Sequence, residues 1–244
     1  MRKNVILFSA VLAASSAFGG GSTFLPVTQS NWTGFYAGGN VGFDQPQDHV
    51  TSTAAGEISS ANLKSEFSGG GQVGYNRQYR QFVTGVQLNL GYLGFYGNRP
   101  FTSRYVPVLL GAPDEVQEVA AVSSGGFYGT LMGRAGGSLV HNRIFPFLEA
   151  GLAFADLKLG VEDLQPVGLT INAAHRKFYY GPAYGAGFEV AINSKWAFNT
   201  DYVFADFGND TISGVANDGR SYYWYHKDIA AQIVRFGIDY KFSA

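Results

Sequence analysis

The 244-residue chain contains no cysteine, two methionines and three tryptophans, and only 14% of its residues are charged. Ordinary soluble domains carry about 25% charge. Each shortage excludes something. Without cysteine there is no disulfide framework. A formal net charge of -1 leaves no basic surplus for phosphates, so no nucleic-acid partner is expected. Sparse charge beside 16% aromatic residues is the opposite of a disordered composition. Beyond the first residues, no uncharged apolar run reaches the ~20 residues of a spanning helix. What the chain has in quantity is glycine (33), phenylalanine (20) and tyrosine (15). The length suits one or two domains, and single all-β barrels reach this size.

The beginning reads as an export signal. Arg2 and Lys3 precede an uncharged stretch from Asn4 to Thr23, with an apolar centre from Val5 to Ala13 and small residues after it. A basic start, a short apolar run and a small-x-small site form a secretory signal. Ser15-x-Ala17 places the cut before Phe18, with Ala17-x-Gly19 as a second option. The division expected is a signal peptide over 1–17, a periplasmic lead-in over 18–32 and a β-barrel over 33–244.

Eight stretches of the mature chain alternate with a period of two: 33–43, 67–76, 82–92, 127–140, 146–155, 180–190, 196–205 and 233–242. That period sends alternate side chains to opposite faces of a strand. One parity is bulky and uncharged: Phe35, Val41, Leu88, Leu90, Leu131, Leu152, Phe188, Phe198, Tyr202, Phe236 and Ile238. The other is rich in glycine and holds every charge within these spans: Arg134, Glu149, Glu189, Asp201, Arg235, Asp239 and Lys241. A soluble ligand-carrying barrel puts its apolar face inside. Here the small, charged face suits a narrow lumen and the bulky face suits lipid. Strands of about ten tilted residues cross a hydrocarbon layer of ~25–30 Å. Backbone groups in lipid need partners, so the sheet must close, and eight strands enclose a centre that side chains fill.

The connections fit. Segments 77–81, 141–145 and 191–195 are short, and they alternate with long ones at 44–66, 93–126, 156–179 and 206–232. Short turns belong to the periplasmic side of an outer-membrane barrel and long loops to the outside. The expectation is an all-β, eight-stranded, antiparallel up-and-down transmembrane barrel.

The first strand, Asn31-Trp32-Thr33-Gly34-Phe35-Tyr36-Ala37-Gly38-Gly39-Asn40-Val41-Gly42, resembles the opening of the small outer-membrane β-barrel proteins of Gram-negative bacteria. These are the porin-family or outer-membrane immunogenic proteins, similar to OmpA-like eight-stranded barrels. The resemblance continues through Gly71–Asn76, Phe82–Val86, Gly185–Glu189, Asp201–Gly208 and Val234–Phe242. It implies residence in the Gram-negative outer membrane, porin-like permeation and surface antigenicity. It also implies handling by periplasmic chaperones and the barrel-assembly machinery, with Tyr240 and Phe242 as the assembly signal. Three positions depart from the family: Gln87 where an acidic residue is usual, Met132 where a first arginine is common, and Ser243-Ala244 after the terminal aromatic.

The seven lumen charges form the candidate site, either as a mutually paired network or as a gate that selects ions. His141 is expected in a periplasmic turn and His49, His175 and His226 in outer loops, all solvated, with no metal or haem spacing. Tyr222–Tyr225 suits a girdle or strand extension, Val106–Leu110 an apolar run in the second outer loop, and Asn217-Asp218-Gly219 a tight turn. No cofactor is expected, and no Ser-His-acid set can be assembled. The leading expectation is a non-enzymatic structural and surface-exposed protein surrounded by outer-membrane lipid. The alternatives are a narrow, low-conductance channel and a surface adhesin or ligand-binding protein acting through its outer loops.

Overall fold

The computed structural model describes residues 31–52, 56–57, 66–105, 115–163, 173–215, 219 and 221–242. The export segment, the lead-in up to residue 30, Val106–Leu110, and Asn217 and Asp218 lie outside them. Eleven strands follow in chain order: β1 (Gly34–Ser52), β2 (Gly56–Glu57), β3 (Glu66–Tyr79), β4 (Phe82–Leu93), β5 (Tyr96–Tyr105), β6 (Glu115–Ser124), β7 (Phe127–Gly137), β8 (Ile144–Asp163), β9 (Ala173–Ala191), β10 (Trp196–Val215) and β11 (Ser221–Lys241).

Eight of these, β1, β3, β4, β7, β8, β9, β10 and β11, form an antiparallel ring, as the alternation requires. The ring closes where β1 pairs β11, in a register that runs from Tyr36↔Lys241 through Val41↔Phe236 to Gln47↔Ala230. Phe242 N adds a 2.9 Å hydrogen bond to Phe35 O at the foot of this seam. Closure of this seam leaves no free edge between β1 and β11.

The short connections are tight. Arg80 and Gln81 alone join β3 to β4, with Arg80 at φ 55°. The β7–β8 turn bends through Val140, His141 and Asn142, at φ 49°, 55° and 63°. In the β9–β10 turn, Asn193 Oδ1 accepts 2.8 Å hydrogen bonds from the amides of Lys195 and Trp196.

At the other end the strands are longer than their sequence spans. β8 runs on to Asp163 and β10 to Val215, while β9 begins at Ala173 and β11 at Ser221. Much of the four expected outer loops is therefore strand. The second contains a hairpin, β5–β6, whose β6 pairs with the outer half of β8 (Val119↔Asp163 to Ser124↔Lys158). The cause is an inversion of polarity along an unbroken strand. In β8 the odd residues from Phe145 to Val161 point inward. Low in the barrel Glu149 is inside and Leu148 and Leu152 are outside; higher up Leu157, Leu159 and Val161 are buried inside, with Asp156 and Lys158 outside. Where water replaces lipid outside, the apolar side chains move to the interior. A fixed apolar phase ends each strand at that boundary, though the ladder continues.

One seam is incomplete. β9 pairs β10 only from Ala191↔Ala197 to Ala183↔Ala205, although both continue beyond. β10 is irregular there, with register shifts around Gly208, which sits at φ 76°.

The outward parity yields a position-dependent prediction. Phe236→Arg, mid-strand on the outer face of β11, should destabilise the barrel in a bilayer by ~2–4 kcal/mol, whereas Tyr225→Arg on the outer extension of that strand should cost ~0–1 kcal/mol. Urea titration of both variants in lipid vesicles checks this. Equal costs would contradict the assigned faces.

Candidate functional site: the filled lumen and its outer rim

The lumen is occupied in three layers. The lowest is an aromatic floor. Trp32 is buried, with its Nε1 donating to Ser138 Oγ at 3.1 Å and its amide to Gln78 Oε1 at 2.9 Å. Its ring centroid lies 5.6 Å from that of Phe145, which lies 5.3 Å from that of Phe147. Lys241 holds its Nζ 4.8 Å from the Trp32 ring centroid and 3.4 Å from Asn31 O.

The middle layer holds the other six predicted charges, all buried. Arg235 on β11 faces Asp201 on β10 in register and binds it through two bonds, Nε–Oδ1 at 2.8 Å and Nη2–Oδ2 at 2.9 Å. Such paired contacts match the planar guanidinium to a carboxylate. Arg134 on β7 faces Glu149 in register, yet its Nη1 reaches past β8 to Glu189 Oε1 on β9 at 2.6 Å. The Arg134 guanidinium also donates to Asn76 Oδ1 (3.0 Å) and Gln87 Oε1 (2.8 Å) and stacks over Tyr36, 4.7 Å from the ring centroid. Asp239 accepts from Gln72 Nε2 at 2.6 Å and from Asn199 Nδ2 at 2.7 Å. Glu149 lies 3.9 Å from Arg235 Nη2 and makes no hydrogen bond to the described residues.

Glycine makes room for this layer. Gly187 faces Asp201 in register, and a Cβ there would sit 2.8 Å from Asp201 Cβ and 2.8 Å from Phe147 Cζ. The neutral partners Tyr36, Gln72, Asn76, Gln87, Thr130 and Asn199 complete the network. Charge alone does not single them out, but all share the inward parity.

The upper layer is apolar. Leu93, Phe95, Tyr128, Leu157, Phe207, Ile212, Trp224 and Ile233 are among its buried members. Within this half His226 corrects the expectation of solvated histidines. It is fully buried, with Nδ1 2.8 Å from Asp48 Oδ2. Both residues lie on strand extensions that turn inward, where loops were expected. His49, His141 and His175 are exposed. Of the tyrosine-rich run, Trp224 points inward while Tyr223 and Tyr225 are exposed.

On the outer face Phe35, Val41, Leu90, Leu131, Leu152, Phe236 and Ile238 are exposed. Leu88, Phe188, Phe198 and Tyr202 share their parity and are half-buried between neighbours. At the C-terminus Phe242 is exposed and its ring packs edge-on against Tyr240, with centroids 5.4 Å apart.

Residues 5–242 match the model of the outer membrane protein beta-barrel domain. The chain belongs to this family. It is 27% identical over 259 residues to the 31 kDa outer-membrane immunogenic protein of Brucella melitensis biotype 1, covering 98% of this chain and 100% of that one. It is 26% identical over 216 residues to the 25 kDa outer-membrane immunogenic protein of Brucella abortus biovar 1, covering 88% and 81%. The solved outer membrane protein OprG from Pseudomonas aeruginosa shares the fold, with a TM-score of 0.57, 17% identity and coverage of 88% of this chain and 99% of that one. The protein is thus an integral outer-membrane barrel of a Gram-negative type.

Beyond the last β9–β10 ladder pair, side chains bridge the gap between the two strands. Asp210 accepts from Tyr179 Oη at 2.5 Å and Lys177 Nζ at 3.1 Å, with His175 Nε2 at 3.6 Å. Burial opposes the charge on Asp210, but the bonds from Tyr179, Lys177 and the Thr211 amide outweigh it and hold the carboxyl below its usual value.

Two outcomes follow. Arg134→Met leaves Glu189 buried without its cation and should destabilise the barrel by ~3–5 kcal/mol, and adding Glu189→Leu should recover most of it. Urea unfolding of the single and double variants checks this; an unaffected single variant would contradict the pairing. The depressed Asp210 carboxyl contributes stability above its unfolded value of ~3.9 and loses it as pH falls through the lower folded value. Hydrogen-exchange protection over 174–182 and 206–215, corrected for the intrinsic pH dependence of amide exchange, should therefore fall below about pH 4. Asp210→Asn should already exchange fast at pH 7 and respond less to acid. Equal protection of the wild type at pH 7 and at pH 2.5 would contradict a bridge held by the Asp210 carboxylate.

Proposed function

We propose that this outer-membrane barrel is sealed and non-enzymatic, a structural element whose outer strand ends are presented at the cell surface. The observation that carries this reading is the filling of the lumen over its height: an aromatic floor around Trp32, a paired charge layer, and an apolar layer from Tyr128 to Trp224. An eight-stranded ring has little lumen to spare, and side chains take what there is. The names of the Brucella relatives support exposure of the outer ends to antibodies. The surrounding partner is outer-membrane lipid. Periplasmic chaperones and the barrel-assembly machinery are the partners of biogenesis, with Tyr240 and Phe242 as the signal they read.

A second reading, a narrow ion path, draws on Glu149. It lies between the two arginines, in register with Arg134 and 3.9 Å from Arg235, so partner exchange would rearrange the charged layer.

Planar-bilayer recording of the refolded mature chain separates the two. The sealed barrel gives no discrete conductance steps while migrating as a compact species on an unheated gel. Reproducible steps whose size changes with Glu149→Gln would replace it with the channel.

A further inference from the structure

The outer face of β8–β9 carries an ordered sequence of chemistries. From Pro146 and Phe188 up to Phe154 and Tyr180, every outward register pair is uncharged. The next pair brings Asp156 beside Phe178, and the one above it sets Lys158 beside Arg176. From Pro146 to Asp156 is ten residues of strand. At ~3.4 Å per residue and ~40° tilt this rises ~26 Å, the height of an outer-membrane barrel's apolar band. The two cations therefore stand at headgroup level, directly above the hydrocarbon.

The ground beneath them is aromatic and open. Tyr180 is 72% exposed and Phe178 48%, and Phe127 lies against Phe154, ring centroids 6.0 Å apart. The Arg176 guanidinium lies over the backbone of Gly126, where a Cβ would sit 2.7 Å from Nη1. Arg176 is 46% exposed and held by Asp156 Oδ2 at 2.9 Å, which fixes its orientation.

We propose that this face, with the start of β7, binds a phosphorylated glycolipid of the outer leaflet. Lys158 and Arg176 take the phosphate, Arg176 through its planar fork. The aromatic rings below carry the upper acyl chains and the sugar faces. The site lies outside the barrel and rests on the proposed orientation, with the long strand ends outward.

Purified folded barrel is titrated with a phosphorylated bacterial lipid A and with the same lipid after enzymatic dephosphorylation, and retained lipid is counted by native mass spectrometry. Phosphorylated lipid should bind at least about tenfold more tightly than the dephosphorylated form. The Lys158→Gln, Arg176→Gln double variant should lose that preference, and Asp156→Asn, which releases Arg176, should strengthen it. Equal binding by the double variant and the wild type, or equal binding of the two lipids, would overturn the proposal. Displacement by millimolar inorganic phosphate would reassign the site to free phosphate and overturn it too. Gel mobility and bilayer silence of the same samples report on the sealed barrel separately.

Discussion

A backbone N–H or C=O inside hydrocarbon has no water to bond, and each unsatisfied group costs several kcal/mol. In this chain the demand is met by a single long-range event, the pairing of β1 with β11 across nearly the whole sequence. Closure with eight strands then fixes the width of the lumen. That width explains the glycines facing the charges and the solid filling of the interior. It also removes the polar edge from lipid at that seam, and Phe, Tyr, Leu and Val are the commonest large side chains on the outer face of the membrane-crossing strands.

The charged layer does what the backbone ladder does not. Ladders join neighbouring strands, whereas Arg134 ties β7 to β9 and, through Gln87, to Tyr36 on β1. Gln72 on β3 reaches Asp239 on β11, and Asn199 on β10 meets the same carboxylate. Buried ion pairs are weak evidence for net stability. Their stronger consequence is specification. A one-residue slip of any strand would turn its inward charges into lipid and its large apolar side chains into the lumen.

The closed eight-stranded barrel is legible in the sequence because two constraints coincide within the membrane: a period of two, and opposite polarity on the two faces. The pattern reads cleanly in β4, where Phe82, Val86 and Leu90 alternate with Gly85, Gln87 and Asn89. The upper barrel is illegible by the same rule. Outside the membrane the rewarded polarity reverses, so Leu157, Leu159 and Val161 occupy the parity that held Glu149 below. His226 reads as a loop residue for this reason: a strand whose apolar phase inverts looks like a loop. The identities of the charge pairs are not written in the register either. Arg235 and Asp201 meet as cross-strand neighbours, but Arg134 passes over its register partner Glu149 to reach Glu189.

The central claim is ring closure in one register, and the absence of cysteine makes it directly measurable. Val41 and Phe236 face each other across β1 and β11, and paired residues lie ~4.5–5.5 Å apart at Cα, within disulfide reach. Cysteines are placed at Val41 and Phe236 in one variant, and at Val41 and Val234 in another, and oxidised in the folded, lipid-embedded protein. The closed barrel gives rapid cross-linking of the first pair and little of the second. Cross-linking of the second pair in preference to the first, or of neither, would contradict it.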